Sequence, residues 1–176
     1  DNGEADEGRA FVFHGSAGGL AASPAWTAES NQADALFGFS VSTAGDVNGD
    51  GFSDVIVGSH AYDNGESNEG RAWVYLGSAA GAVSTPAWIA ESNQAFAILG
   101  HSVATAGDVN GDGFGDVLVG ARNFDNGEAD EGRVFVYQGS SAGLLTSPSW
   151  TAESNEAPAA FGGSAATAGD VNGDGY

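Results

Sequence analysis

The nine residues Asp46-Val47-Asn48-Gly49-Asp50-Gly51-Phe52-Ser53-Asp54 form a stretch that recurs along the chain. A second copy runs from Asp108 to Asp116, and a third begins at Asp170 and reaches Tyr176, the last residue of the sequence. Oxygen-bearing side chains stand at the first, third, fifth and ninth loop positions, and a glycine follows the fifth. Oxygen ligands around a sharp glycine turn suit a hard cation such as calcium. The stretch therefore predicts a repeated calcium loop.

The loop is one part of a longer internal repeat. Asp46, Asp108 and Asp170 are 62 residues apart (108 − 46 = 170 − 108 = 62), and the same offset separates Trp26, Trp88 and Trp150. Asp1-Asn2-Gly3-Glu4 also returns twice at this offset. A fixed period of this length is typical of solenoids and propellers.

Each repeat predicts four short strands. In the best-defined copy they are a small-residue strand at 38–45, a β-branched strand at 54–58, an aromatic strand at 71–76 and a strand at 86–91 that starts with a proline. The aromatic residues alternate, which places them on one face of a sheet, and a proline at the start suits an edge strand. The first strand recurs at 100–107 and 162–169, and the second recurs at 116–120. The third strand has equivalents at 9–14 and 133–138.

The expected fold class is all-β, with propeller blades of four antiparallel strands and about three repeats in this chain. No helical periodicity of useful length appears, and four strands per repeat are typical of a propeller blade. We expect one β-propeller segment over residues 1–176. It would divide into a partial blade at about 1–36, blades at 37–98 and 99–160, and the start of another at 161–176.

At this point the sequence resembles the FG-GAP repeat of the integrin α-subunit β-propeller and of many bacterial surface proteins. The resemblance rests on Phe37-Gly38, the loop Asp46 to Asp54, and Val57-Gly58-Ser59. The second copy matches with Leu99-Gly100, Asp108 to Asp116, and Val119-Gly120-Ala121. The departures are local, because Leu99 replaces the phenylalanine and neither copy has the proline of the Gly-Ala-Pro signature. The resemblance implies adhesion-type partners.

The predicted ligands form two complete sets and one truncated set. The loop does not continue to the bidentate glutamate of an EF-hand, because Val57 and Val119 stand at the twelfth position. The first site takes the side chains of Asp46, Asn48, Asp50 and Asp54 with the Phe52 carbonyl, and the second takes Asp108, Asn110, Asp112 and Asp116 with the Phe114 carbonyl. The third has Asp170, Asn172 and Asp174 but no ninth residue, so we expect it to be empty or weak in this chain alone.

The alternative interpretation is an Asn/Asp/Gly hairpin that binds no metal. A turn needs one or two such residues, whereas three aspartates and an asparagine converge here and would repel one another without a cation. Calcium is favoured over magnesium because a flexible loop with a carbonyl ligand suits the larger ion.

Charge and composition exclude several functions. The chain has 24 acidic residues against four arginines, a net charge of −20, which opposes binding to nucleic acid. No apolar run is long enough for a membrane span. There is no cysteine, and the three histidines do not repeat. No nucleophile–histidine–acid pattern stands out, so we do not expect an enzyme.

Three other sets of repeated residues have structural interpretations. Arg9, Arg71 and Arg133 begin the third strand and are expected to pair with a nearby carboxylate such as Glu69. The loop from Asp63 to Glu69 is expected to be a solvated acidic loop. The repeated tryptophans are expected to pack between blades rather than to stack on sugars.

These observations predict a calcium-stabilised propeller that serves as a scaffold for protein or cell-surface binding and adhesion outside the cytoplasm. A carbohydrate-binding propeller and an accessory propeller of a larger secreted enzyme are the alternatives. The partner would be a protein or glycan. Further blades of the same longer chain, or a homodimer, would close the ring, since a propeller needs about four to eight blades. An export signal would have been removed or would lie outside this segment.

Overall fold

The computed structural model describes residues 3–175, so Asp1, Asn2 and Tyr176 lie outside the described residues. Every regular element in the described part is a β-strand, and no helix there is long and apolar enough to cross a membrane. The strands are β1 (Arg9–Val12), β2 (Gly15–Ser16), β3 (Gly19–Leu20), β4 (Trp26–Glu29), β5 (Ser40–Gly45), β6 (Asp54–Ser59), β7 (Arg71–Tyr75), β8 (Trp88–Glu91), β9 (Leu99–Gly107), β10 (Asp116–Ala121), β11 (Arg133–Tyr137) and β12 (Trp150–Glu153).

Two four-stranded antiparallel sheets confirm the propeller-blade architecture. One has the order β5-β6-β7-β8 and the other β9-β10-β11-β12, so each strand pairs with the next one along the chain. Strands β1 and β4 form a two-stranded sheet that corresponds to β7 and β8. The short hairpin β2-β3 between them was not predicted. The limits of the blades at 37–98 and 99–160 stay a prediction.

The aromatic faces of β7 and β11 form cores between neighbouring sheets, whereas Phe11 and Phe13 of the first copy are exposed. Trp73 and Tyr75 are buried together with Trp26 of the preceding repeat and with Phe37 at the start of their own repeat. The residue between them, Val74, points the other way and packs in the next core, as period-two alternation requires. The β5-β6-β7-β8 sheet therefore buries each of its two faces against a different neighbour, which a single open sheet cannot do alone.

Small residues allow the first strands of adjacent repeats to approach closely. A Cβ at Gly58 would collide with the carbonyl oxygen of Gly100. The Ser40 hydroxyl donates to that same oxygen at 2.7 Å, and Ser102 donates to the Gly162 carbonyl at 2.8 Å. The small-residue composition of the first strand thus reflects contact between blades.

The prediction of a strand at 162–169 was wrong. Within the described residues, this segment has no strand, and the only ladder contact nearby is a bridge between Gly132 and Phe161. In both complete sheets the first strand pairs with the strand that follows the acidic loop. The 176 residues hold no such strand after the third loop, so the backbone groups of 162–169 have no ladder partner.

Candidate metal loops

Asp54 anchors the first loop to the sheet. This carboxylate is fully buried; one oxygen accepts the Val47 N–H at 2.8 Å and the other accepts the Gly77 N–H at 2.7 Å. Val47 lies at the start of the loop and Gly77 follows β7, so a single side chain joins both. The second loop repeats this arrangement: Asp116 is equally buried and accepts from Val109 and Gly139, both at 2.8 Å.

Asp46 shapes the turn itself. Its Oδ1 accepts the N–H groups of Gly49 and Asp50 at 2.7 and 3.0 Å, and its Oδ2 accepts the Gly51 N–H at 2.8 Å. The Asn48 amide donates to Asp50 Oδ2 at 2.9 Å. These bonds keep the first, third and fifth loop positions on one compact turn. Each carboxylate oxygen retains further acceptor capacity after these bonds.

The buried carboxylates sit in a negative environment. Burial raises the pKa of Asp54, and the nearby Asp50 and Asp46 carboxylates raise it further, while the backbone hydrogen bonds from Gly77 and Val47 oppose the rise. The pKa of Asp116 is raised for the same reasons, first by burial and then by Asp112 and Asp108 against the bonds from its own two amides. A cation placed among these oxygens would remove the repulsion.

The donor chemistry of both loops suits calcium, because every predicted ligand is a carboxylate, amide or carbonyl oxygen. Over residues 3–175, however, no three acidic or histidine side chains converge into a group that could hold a metal ion. The loop oxygens accept backbone N–H groups instead, from within the loop and, at Asp54 and Asp116, also from Gly77 and Gly139. The predicted ligand sets therefore stay a prediction, and ligation would need the oxygens to turn towards a shared centre.

The two complete loops touch each other. A Cβ at Gly49, which has φ of 75°, would lie 2.6 Å from the Phe114 ring, so glycine leaves room for that ring. The Gly115 N–H donates to the Asp46 carbonyl at 2.7 Å, and the Ser140 N–H donates to the Val47 carbonyl at 3.1 Å. Ordering one loop is thus coupled to its neighbour.

The third loop forms the same turn without its ninth residue. Asp170 accepts the Gly173 N–H at 2.6 Å and the Gly175 N–H at 2.8 Å, and Asn172 donates to Asp174 at 2.7 Å. The backbone hydrogen bond from Gly175 is the main cause of a lowered pKa at Asp170. The sequence reaches only the seventh loop position at Tyr176, so within the described residues this turn has no counterpart of Asp54.

The repeated arginines are structural, but their partners differ from the prediction. Arg9 pairs with Glu29 and Arg71 with Glu91, in each case across the sheet from third to fourth strand. Arg133 Nη2 lies 2.6 Å from Glu153 Oε2 in the same way. Glu69, the predicted partner, makes no hydrogen bond through its carboxylate within the described residues.

The loop from Asp63 to Glu69 is not wholly solvated, which corrects the sequence prediction. Asp63, Asn64, Gly65 and Glu66 are exposed, but Glu69 is fully buried. Glu7 and Glu131 precede the Gly-Arg pair in the other two copies, and both are buried in the same way. The available signal was the exact recurrence of Glu-Gly-Arg in all three copies.

Two of the three repeated tryptophans pack between blades, as expected. Trp26 and Trp88 are each 7% exposed and meet Tyr75 and Tyr137 edge-on, with ring centroids 4.9 and 4.8 Å apart. Their indole N–H groups donate to the carbonyls of Val83 and Leu145, at 3.2 and 2.9 Å. Trp150 has no later blade in this chain to cover it and is 56% exposed.

Comparison with known proteins agrees with this geometry. The family model for the FG-GAP repeat matches residues 37–75 and 99–137, each of which spans a loop and its three surrounding strands. Integrin alpha-5 of Xenopus laevis is 34% identical over 154 residues, which is 82% of this chain and 14% of that protein. Integrin alpha-IIb of Mus musculus is 34% identical over 152 residues, again 82% of this chain and 14% of the relative.

Human integrin alpha-7 is 39% identical over 119 residues, or 66% of this chain and 9% of that protein. The chain thus spans only a small part of the curated relatives that it matches. The family-model match covers the first three strands of each complete sheet. The chain therefore contains two FG-GAP repeats and is similar to integrin alpha proteins over most of its length, and its four-stranded sheets are consistent with propeller blades built from such repeats.

Proposed function

We propose that this segment is a non-catalytic, calcium-stabilised propeller scaffold that supports adhesion at the cell surface or in the extracellular space. The observation that carries the proposal is the buried carboxylate of Asp54, repeated at Asp116. Each of these carboxylates joins its acidic turn to the residues that follow β7 or β11, by accepting the N–H of Gly77 or Gly139. Calcium bound in the turn would therefore fix the rim of the blade.

The surrounding charges support this role for calcium. Asp46 and Asp50 face Asp54 closely enough to raise its pKa, and the chain carries a net charge of −20. Bound cations would lower that repulsion at the rim. Modest-affinity calcium sites suit the calcium concentrations outside cells, where such modules commonly bind at about 10⁻⁴–10⁻³ M. The integrin relatives support the assignment to adhesion.

Calcium titration tests the metal part of the proposal. We expect isothermal calorimetry on the chelator-treated chain to show about two sites that are strong relative to the third loop, because only two loops have a ninth residue. The melting temperature should rise with calcium, since a ligand that binds only the folded state stabilises it by mass action. Absence of binding heat together with an unchanged melting temperature after chelation would contradict calcium binding.

Single substitutions would assign the two sites. Asp50→Ala removes an exposed loop carboxylate but keeps the buried anchor, so it should abolish one site and leave the other. Asp112→Ala should do the same in the second loop, and the double variant should bind no calcium strongly. Asp63→Ala, in the exposed part of the other acidic loop, is the matched control and should keep both sites.

The adhesion part needs a separate binding measurement. The calcium-loaded chain would be applied to immobilised extracellular proteins and, in parallel, to a glycan array. Calcium-dependent retention on protein supports the scaffold, and selective glycan retention would favour the carbohydrate-binding alternative. That alternative receives no support from Trp26 or Trp88, because both rings are buried between blades.

A further inference from the structure

Two histidines from neighbouring blades meet at the end of the sheets opposite the acidic loops. His60 follows the last residue of β6, and His101 lies near the start of β9. Their ring centroids are 5.5 Å apart. The Phe39 ring packs against both, at centroid distances of 4.1 and 5.1 Å. The metal loops lie at the other end of these strands, before β6 and after β9.

The pair is not a feature of the repeat. The position of His60 is occupied by Arg122 in the next repeat, and the position of His101 is occupied by Phe39 and Gly163 in the other repeats. Blade packing alone therefore does not require imidazoles at these positions. Only three histidines occur in the chain, and two of them meet here.

Hydrogen bonding leaves nitrogen lone pairs available in the pair. His101 Nδ1 lies 3.1 Å from the Gly163 carbonyl oxygen, which can only accept, so this nitrogen carries the proton. Nε2 of a neutral His101 then has a free lone pair, and a backbone carbonyl is a usual partner for a metal-binding histidine. His60 Nδ1 is buried and has no hydrogen-bond partner within the described residues. Burial, and then the nearby His101, lower the pKa of His60.

We propose that His60 and His101 bind one zinc-class transition-metal ion that bridges the two blades. Metal–nitrogen distances of about 2.0–2.1 Å place two imidazole centroids that share a tetrahedral ion roughly 5–6 Å apart. The observed separation of 5.5 Å falls in that range. Imidazole nitrogen selects zinc, copper or nickel, whereas the carboxylate loops select calcium. Water would fill the remaining coordination positions.

Zinc titration in buffer with saturating calcium tests this site apart from the acidic loops. We expect calorimetry to show one zinc ion per chain and the melting temperature to rise. His60→Gln and His101→Asn should each abolish that binding, while His14→Gln, an exposed histidine elsewhere, should retain it. Circular dichroism of each variant would verify that it is folded. Zinc binding of equal strength in His60→Gln and the parent chain would overturn the proposal.

Copper provides a spectroscopic test of the ligand type. Cu²⁺ added at one ion per chain, with calcium present, should give an electron paramagnetic resonance spectrum with splitting from two nitrogens. The splitting should disappear in the double histidine variant. A spectrum of oxygen ligation alone in the parent chain would place the ion in the acidic loops and refute the histidine site. Neither result depends on whether calcium binds at Asp46–Asp54.

Discussion

Trp88→Ala should lower the free energy of unfolding by about 3–5 kcal/mol, the usual cost of truncating a buried aromatic side chain. The indole fills the junction between the two complete blades, where it is 7% exposed and meets Tyr137 edge-on. Removing it leaves a cavity and also leaves the Leu145 carbonyl without its donor. Urea unfolding followed by far-ultraviolet circular dichroism would measure the change.

The chain provides its own matched control for this substitution. Trp150 is the same residue at the same repeat position, but it is 56% exposed. Trp150→Ala should therefore cost less than about 1 kcal/mol, since exposed positions contribute little. Equal losses in the two variants would mean that the junction around Trp88 does not stabilise the fold.

The repeat made much of the fold predictable from sequence. Alternation at Trp73 and Tyr75 correctly assigned both rings to one face, because side chains in a strand alternate whatever surrounds it. The small-residue first strand at 38–45 was also recognisable, and the structure adds that its Ser40 hydroxyl donates to the Gly100 carbonyl of the neighbouring blade. The segment at 162–169 shows the limit of this reasoning, since a strand-like pattern does not supply the neighbour that completes its hydrogen bonds.

Side-chain partners were harder to predict, because they depend on strand register. Arg71 and Glu91 lie opposite each other in the ladder between β7 and β8, and this pairing is set by the length of the intervening connection. Glu69 is closer in sequence but lies before the strand begins, at a buried position. Proximity in sequence therefore suggested Glu69, whose charge acts on Arg71, whereas the contact ion pair is made by Glu91.

The loop residues were recognisable by type, whereas their internal hydrogen bonding was not. Asp54 was predicted as a metal ligand, and the structure adds that it joins Val47 and Gly77 through their N–H groups. The sequence could not show this role, because it depends on β7 ending beside the loop in the folded chain. The histidine pair likewise depends on two blades meeting, because His60 and His101 are far apart in sequence.

The interblade tyrosines should make the fold sensitive to alkaline pH. Burial raises the pKa of Tyr75 and of Tyr137 from 10.0 to about 12. Between these values the unfolded chain loses phenolic protons that the folded chain keeps, so the free energy of unfolding falls as pH rises. The contribution is fully present below pH 10 and is lost by about pH 12. Two pKa units correspond to about 2.7 kcal/mol per tyrosine, and solvent screening reduces this to about 2 kcal/mol.

Phenylalanine substitutions separate this effect from the general repulsion of an acidic chain at high pH. Tyr75→Phe and Tyr137→Phe keep the rings that meet Trp26 and Trp88 but remove the titrating hydroxyl. Urea unfolding at pH 9.5 and 11.5 should show the double variant losing about 3 kcal/mol less stability than the parent chain, because this interval covers most but not all of the titration of the two phenols. Each single variant should recover about half of that difference, because the two tyrosines lie in separate interblade cores and should act independently. Parallel losses in the parent and the double variant would show that both phenols ionise as readily in the folded chain as in the unfolded one.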